Sequence, residues 1–186
     1  KTMVDNIKQT NPTLIDDLIP GTISLGYLEK VLCLLLREGV PIRDMETILE
    51  TLGDHAGALK DIDIVTEYVR QALKRTITRR FAEANSLRVI TVDPKVEDTI
   101  VASVKKSEAG SYLAMDPDLI QKIVNITSGE IDKVKDVIPN IIILTSPIVR
   151  IYFKKLIDQF IPNITVLSYS EIDNTAQIQA IGNIAM

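Results

Sequence analysis

The hydrophobic pattern of the chain changes near Asn85, and this change constrains the fold more than any other feature. Before Asn85, apolar residues recur every three or four positions, as they do on one face of a helix. The clearest example is the set Leu25, Leu28, Leu32 and Leu35. After Asn85, short β-branched runs alternate with helical stretches, which is typical of layered α/β structure. We therefore predict an α+β fold, with a helical subdomain over residues 1–85 and an α/β subdomain over residues 86–186.

The leucine-rich segment predicts the central helix of the N-terminal bundle. Its further apolar residues leave little of the helix polar, so we expect it to be buried, with Cys33 as a small core residue. Gly39 offers a left-handed stop after this helix, and Pro41 prevents its continuation. Asp44 is suited to cap the next helix. A third helical pattern runs from about Asp63 to Phe81.

Short apolar runs predict the strands of the C-terminal half: Leu87–Val92, Ile141–Leu144, Thr165–Leu167 and Gln177–Ile181. The second of these runs is wholly apolar, as expected of a strand covered on both faces. Proline follows a capping residue at the predicted helix starts Asp93-Pro94, Asp116-Pro117 and Ser146-Pro147. The first of these helices is expected to reach about Ser107. Strands that alternate with helices predict a mostly parallel, helix-covered sheet.

The sequence lacks the residues that most enzyme and metal sites require. A single cysteine and a single histidine, His55, exclude a disulfide framework and sites built from several such ligands. The glycine-rich phosphate-binding motifs and the GxSxG motif are absent, so we expect no catalytic residue, cofactor or metal. A net charge of -4 and the lack of tryptophan argue against nucleic acid as a partner. No apolar run approaches the roughly 20 residues of a membrane span.

Charged residues in the N-terminal half are candidates for a contact with another subunit or a partner: Arg37, Glu38, Arg43, Asp44, Arg70 and Lys74. The first four bracket a turn, where exposed charges of alternating sign suit specific pairing. Arg70 and Lys74 are like charges one helical turn apart, as are Arg75 and Arg79, so an acidic surface is expected to oppose them. The alternative is internal. In that case Asp44 and Arg37 complement helix ends, and acids of the same domain neutralise the basic face.

Several longer stretches match a known pattern, in order, along essentially the whole chain. They are residues 18–44, Lys60-Asp61, Thr66–Arg75, Val89–Pro94, Ser146–Arg150 and Pro162–Ile172. The most extended, residues 18–44, includes Ser24-Leu-Gly-Tyr-Leu-Glu-Lys-Val-Leu and ends in Arg37-Glu-Gly-Val-Pro-Ile-Arg43-Asp. Together these stretches resemble the export-gate family of bacterial flagellar and type III secretion systems. The C-terminal motifs favour the flagellar branch over the virulence-injectisome branch.

The resemblance implies a role in protein transport rather than catalysis. Members of the family are inner-membrane proteins with an N-terminal transmembrane part, and this chain, which begins at Lys1, resembles the last two subdomains of the cytoplasmic part. The chain is thus expected to be soluble on the cytoplasmic side of the membrane. Members form a nine-subunit ring that receives export chaperones, export substrates and other apparatus proteins. The helical subdomain is expected to contribute to contacts around that ring.

The competing interpretation is a small α/β enzyme or nucleotide-binding protein with a helical attachment. Its ligand would lie beyond the carboxyl ends of the strands, near Asp93, Thr145 and Ser146. A deep polar pocket at these residues would favour the enzyme, whereas a filled, proline-capped turn would favour the export-gate interpretation.

Overall fold

The computed structural model describes residues 5, 6, 9 and 11–186, and the chain divides into two compact units, Lys1–Arg80 and Phe81–Met186. We call these the helical unit and the α/β unit. The sequence places the subdomain boundary after Asn85, within the first residues of the second unit. The predicted α+β fold class is confirmed. Among the described residues, none of the helices combines the length and the apolar character needed to cross a bilayer.

The helical unit contains the helices α1 (Pro12–Leu18), α2 (Leu25–Arg37), α3 (Met45–His55), α4 (Ile62–Ala72) and α5 (Lys74–Phe81), the last of which runs into the α/β unit. Four of them begin at a side chain that accepts a backbone N–H: Asn11, Ser24, Asp44 and Asp61. Such caps satisfy amide donors that have no partner within the helix. The predicted cap at Asp44 is confirmed, since its carboxylate accepts from the Thr47 N–H at 3.3 Å.

Two expectations for this unit are wrong. The helix predicted from Asp63 to Phe81 is broken at Leu73, which has non-helical backbone angles of -90° and 19°. Leu73 is buried, so the apolar pattern continues through the break and could not reveal it. Helix α2 is also not buried all round. Leu28, Val31 and Leu35 face the core, whereas Leu36 is 53% exposed and Cys33 lies in the solvent-facing part.

The α/β unit is built on a four-stranded sheet of order β5-β4-β1-β6, in which every neighbouring pair is parallel. Its elements in chain order are β1 (Ser86–Val92), α6 (Pro94–Ala102), β2 (Val104–Ser107), β3 (Gly110–Leu113), α7 (Pro117–Val134), β4 (Ile142–Thr145), α8 (Pro147–Asp158), β5 (Thr165–Ser168), a short 3-10 helix (Tyr169–Glu171) and β6 (Gln177–Ile184). The four predicted strands all occur, and proline opens each of the three predicted helices.

The core of this unit lies between the sheet and its helices. All four residues of β4 are buried, as expected of a strand covered on both faces. Against the sheet pack Val96 and Ile100 of α6, Ile123 of α7 and Phe153 of α8.

One prediction for the α/β unit is wrong: α6 ends at Ala102 instead of near Ser107. The residues that follow form an antiparallel hairpin, β2–β3, with a two-residue loop between Ser107 and Gly110. Gly110 has a φ of 121°, a conformation that favours glycine. Strand β2 could not be recognised from the sequence, because the run Lys105–Glu108 is polar and the strand has too few apolar side chains to show a period.

Candidate functional site

The turn between α2 and α3 carries most of the candidate contact residues, and its backbone is held by a specific cap. Gly39 has a φ of 73°, and its N–H donates to the Leu36 carbonyl at 3.0 Å. The N–H of Val40 donates to the Leu35 carbonyl, also at 3.0 Å. This pair of bonds is the Schellman motif, and the buried side chains of Val40 and Leu35 supply its hydrophobic contact. These two bonds therefore define the backbone path of the turn.

An internal cluster of charges fastens this turn to α4. The Arg70 side chain is 1% exposed and lies between two carboxylates, Glu38 at 3.8 Å and Glu67 at 3.7 Å. Glu38 belongs to the turn, whereas Glu67 is one turn away from Arg70 on the same helix. Arg70 thus lies in the interior of the helical unit and not on the exposed basic face that its sequence spacing suggests. Burial of an arginine is costly unless carboxylates neutralise it, and these two do so.

Three of the candidate residues face solvent: Arg37, Arg43 and Lys74. Within the described part of the chain, no salt bridge joins any of them to a carboxylate. Asp44 is exposed as well, but its carboxylate is engaged, since it accepts from the Thr47 hydroxyl at 2.7 Å as well as from the Thr47 amide. The structure therefore separates the six candidates into residues that hold the turn and residues whose charges are presented outward.

A groove of about 510 Å³ lies on the outer face of the helical unit beside Arg37. Cys33 and Leu34 of α2 and Ile62 of α4 supply its apolar lining, with Glu29 and Asp63 among its charged residues. Cys33 and Leu34, which were expected to be buried, line this open surface instead.

The single histidine has a packing partner. The His55 ring stacks on the Tyr68 ring, with centroids 4.3 Å apart and planes inclined by 12°. The contact joins the last turn of α3 to α4, so His55 packs against a neighbouring helix.

At the carboxyl ends of the strands, the polar groups that a ligand would use already bond to each other. The Asp93 carboxylate accepts from the Lys95 N–H at 3.1 Å, and the Thr145 hydroxyl donates to the Ser146 carbonyl at 2.9 Å. The Glu97 carboxylate accepts from the Ser146 N–H at 3.0 Å. The Glu97 carboxylate therefore occupies the start of α8, the position at which a nucleotide-binding protein would hold a phosphate group. This is the filled, proline-capped turn that favours the export-gate interpretation.

The α/β unit contains a second buried charge pair that the sequence did not predict. Arg150 of α8 and Glu171 of the 3-10 helix are both 1% exposed, and Arg150 Nε lies 3.3 Å from Glu171 Oε1. Arg150 Nη1 also donates to the Val166 carbonyl at 3.0 Å, which ties α8 to β5. Both residues lie in the stretches that carry the family resemblance. The signal in the sequence for this pair was an arginine, Arg150, within the apolar pattern of a predicted helix. No sequence rule identifies Glu171 as its partner.

The comparisons with known proteins agree with this structure. The model of the FHIPEP family matches residues 1–177. The flagellar biosynthesis protein FlhA of Bacillus subtilis is 39% identical over 98% of this chain, and the invasion protein InvA of Salmonella typhimurium is 29% identical over 99%. The chain spans 27% of the length of each of these curated relatives.

Solved structures share the fold over nearly the whole chain. The Chlamydia pneumoniae CdsV protein, in its complex with CdsO, has a TM-score of 0.86 and 33% identity, with 99% of this chain and 53% of that chain covered. The nonameric SctV-C of EPEC has a TM-score of 0.86 and 29% identity, with 98% of this chain and 55% of that chain covered. The protein therefore belongs to the FHIPEP family, the export-gate family that its sequence resembles.

Proposed function

We propose that this chain is the C-terminal, cytoplasmic part of a bacterial type III protein export apparatus, where it serves as a docking platform for chaperones, export substrates and apparatus proteins. The observation that carries the proposal is the shared fold, over 98% or more of the chain, with CdsV bound to CdsO and with nonameric SctV-C. By analogy, copies of the full-length protein form a ring on the cytoplasmic side of the inner membrane.

The flagellar branch is the better supported of the two branches. The chain is 39% identical to FlhA of Bacillus subtilis and 29% identical to InvA of Salmonella typhimurium. The injectisome remains the second candidate because the InvA similarity extends over 99% of the chain.

We infer that the chain acts by binding and not by catalysis. The support is the arrangement at the carboxyl ends of the strands, where Glu97 holds the Ser146 amide at 3.0 Å and Asp93 caps α6. Ligands of open α/β sheets bind at that edge, and here protein groups bond to one another.

The contact residues in this proposal are Arg37, Arg43 and Lys74, which are exposed. The remaining candidates position them: Glu38 and Arg70 hold the turn to α4, and Asp44 starts α3.

A chimera tests the branch and the function together. The C-terminal segment of Bacillus subtilis FlhA that matches this chain would be replaced by residues 1–186, and a parallel chimera would be made in Salmonella typhimurium InvA. We expect the FlhA chimera to restore swimming and secretion of flagellar proteins. A FlhA chimera that accumulates normally but secretes nothing, beside an InvA chimera that secretes effectors, would refute the flagellar assignment. Failure of both, at normal protein levels, would refute the export function.

Charge reversal at Arg43 tests the contact residues in the same chimera. Because Arg43 is exposed and forms no described salt bridge, Arg43→Glu should change the free energy of unfolding by no more than about 1 kcal/mol. We expect it nevertheless to reduce secretion. The matched control is Lys122→Glu, which reverses an exposed charge on α7 and should leave secretion unchanged. If Arg43→Glu unfolds the chain, or if the chimera that carries it secretes as well as the control chimera does, Arg43 is not a contact residue.

A further inference from the structure

The two edges of the four-stranded sheet differ in length and exposure. At one edge, β5 has four residues, of which three are buried, and the 3-10 helix follows it directly. At the other edge, β6 has eight residues, and the first four, Gln177–Ala180, are all exposed. We call Gln177–Ala180 the open edge. Within the described part of the chain, β6 pairs only with β1. An unpaired strand edge presents backbone N–H and C=O groups to which a further strand can bond.

The backbone groups of the open edge have a defined direction. The N–H of Gln177 donates to the Asn85 carbonyl at 2.8 Å, so Gln177 bonds toward β1. Alternate residues of a strand bond to the same neighbour, so Gln179 also bonds toward β1. The N–H and C=O groups of Ile178 and Ala180 therefore point away from it. The register with β1 is regular over these four residues and shifts only beyond Ala180.

The open edge lacks the features that usually prevent strand addition. Lysine or proline commonly protects an edge strand, but the segment Asn174–Met186 contains no charged residue and no proline. One face of the sheet is also open at this end. A cavity of about 260 Å³ lies there, and its lining includes Ser86 and Arg88, the β1 residues that pair with Gln177 and Gln179. An added strand would thus meet neither a charge on β6 nor a proline.

We propose that the open edge binds an extended, uncharged segment of an export substrate, which joins the sheet as a fifth strand. Main-chain hydrogen bonds supply affinity in this mode and do not depend on the sequence of the segment, so one edge can accept many substrates. Ile178 is 43% exposed and favours apolar residues at the alternate positions that lie beside it. The inference rests on the proposed function, since it names the surface and the chemistry by which the docking platform holds a substrate.

An extended segment fits the open edge better than a folded partner does. Stable interfaces between folded proteins bury about 1,200–2,000 Å² in total, far more than four residues of strand edge provide. A second copy would pair its own open edge with this one about a two-fold axis. Such a contact closes at two copies and does not lead to the ring of the proposed function.

The experiment measures binding of a peptide to the 186-residue chain by fluorescence anisotropy. The probe is a labelled eight-residue peptide of alternating threonine and valine. A matched peptide has the same side chains but N-methylated amides, which cannot donate. In the chain, Ile178→Pro removes an outward N–H without breaking a bond to β1, a position at which an edge strand tolerates proline. The control, Ile178→Thr, keeps that N–H, and circular dichroism verifies that both variants fold.

The unmodified chain should bind the probe. N-methylation of the peptide, or Ile178→Pro in the chain, should weaken binding by at least about tenfold, because backbone hydrogen bonds are lost. Ile178→Thr should bind nearly as the unmodified chain does. Amide hydrogen exchange followed by NMR should slow at Ile178 and Ala180 when the probe is bound. Exchange at Gln179 should change little, since its amide already bonds to β1.

Three results would overturn the proposal. The first is equal binding of the N-methylated peptide, or an equal loss in Ile178→Thr and Ile178→Pro, because the partner is then not an added strand. The second is protection of the Ile178 amide without peptide that grows with protein concentration, because a second copy then occupies the edge. The third is a folded chain that does not bind the probe and whose Ile178 amide exchanges equally fast with and without it.

Secretion by the FlhA chimera separates this inference from the proposed function. Ile178→Pro should reduce secretion of flagellar proteins at normal protein levels, whereas Ile178→Thr should not. Full secretion with Ile178→Pro would contradict the inference and leave the proposed function intact. Loss of secretion in the chimera without any substitution would count against the proposed function instead.

Discussion

The buried pair of Arg150 and Glu171 should be the most sensitive charged contact of the α/β unit. Both side chains are 1% exposed, with Nε and Oε1 3.3 Å apart, and Arg150 also reaches the Val166 carbonyl at 3.0 Å. Glu171 Oε2 accepts from the Ser168 N–H at 3.4 Å, so the carboxylate also shapes the turn that follows β5. We predict that Glu171→Gln, which keeps the shape of the side chain and removes its charge, destabilises this unit strongly.

The magnitude follows from what the substitution leaves behind. Arg150 would stay buried with no counter-charge at Glu171, and breaking a buried ion pair in this way costs about 3–5 kcal/mol. For a urea dependence of about 2 kcal/mol per molar, a loss of 4 kcal/mol lowers the unfolding midpoint by about 2 M.

The matched control is Asp158→Asn. Asp158 pairs with Lys154 at 2.8 Å, but its side chain is 49% exposed. Lys154 also keeps a hydrogen bond to the Ile164 carbonyl at 2.8 Å. Pairs that water can reach contribute about 0–1 kcal/mol, so the control should move the midpoint little.

Urea unfolding followed by circular dichroism measures both variants, and hydrogen exchange of the α/β unit identifies which of the two units is affected. Replacing both partners, with Arg150→Met and Glu171→Leu, should recover most of the lost stability because no charge is then buried alone. If Glu171→Gln costs no more than Asp158→Asn, the reasoning is refuted, and the pair does not depend on mutual neutralisation in the interior.

Three further predictions concern the helical unit. Gly39→Ala should lower the free energy of unfolding by about 1 kcal/mol, because a side chain is strained at a φ of 73°. The control is Gly57→Ala, which should be neutral or stabilising in the same urea titration because no atom lies within 4 Å of the added Cβ. Burial, and after it the charge of Asp61, raise the pKa of Tyr27 above 10.0, so the protonated phenol is favoured by folding. Its contribution to stability should be complete below about pH 10 and lost as the pH rises through the raised pKa. The part of the 295 nm absorbance titration that Tyr27→Phe removes should lie above the usual tyrosine pKa, and a midpoint at that usual value would contradict this. Cys33 should react with Ellman's reagent in the folded chain at a rate near that of a free thiol, because it is exposed, and slow reaction would place it in the core after all.

The elements with a strong local signal could be predicted from the sequence. Asp44, Pro94, Pro117 and Pro147 mark helix starts because a cap or a fixed φ acts on neighbouring residues only. Gly39 marks the end of α2 for the same reason, since the left-handed conformation is a property of one residue. The apolar run at β4 also predicts its own burial, because a strand without polar residues has no face to present to water.

The elements that the sequence misjudged lack such a local signal. Leu73 carries no feature that breaks a helix, and the hairpin β2–β3 has too few apolar residues to reveal its period. Helix α2 is apolar nearly all round, so composition could not say which of its faces would find a neighbour.

The sequence and the tertiary structure each determined a different part of the candidate site. The sequence alone determined which residues are charged, their spacing along each helix, and the family to which the chain belongs. Only the tertiary structure decided that Arg70 turns inward to Glu38 and Glu67 while Arg37, Arg43 and Lys74 remain in solvent. The physical reason is that a helical period fixes the angle between side chains but not which side meets the core. Burial of Arg70 also depends on Glu38, a carboxylate from a distant part of the chain.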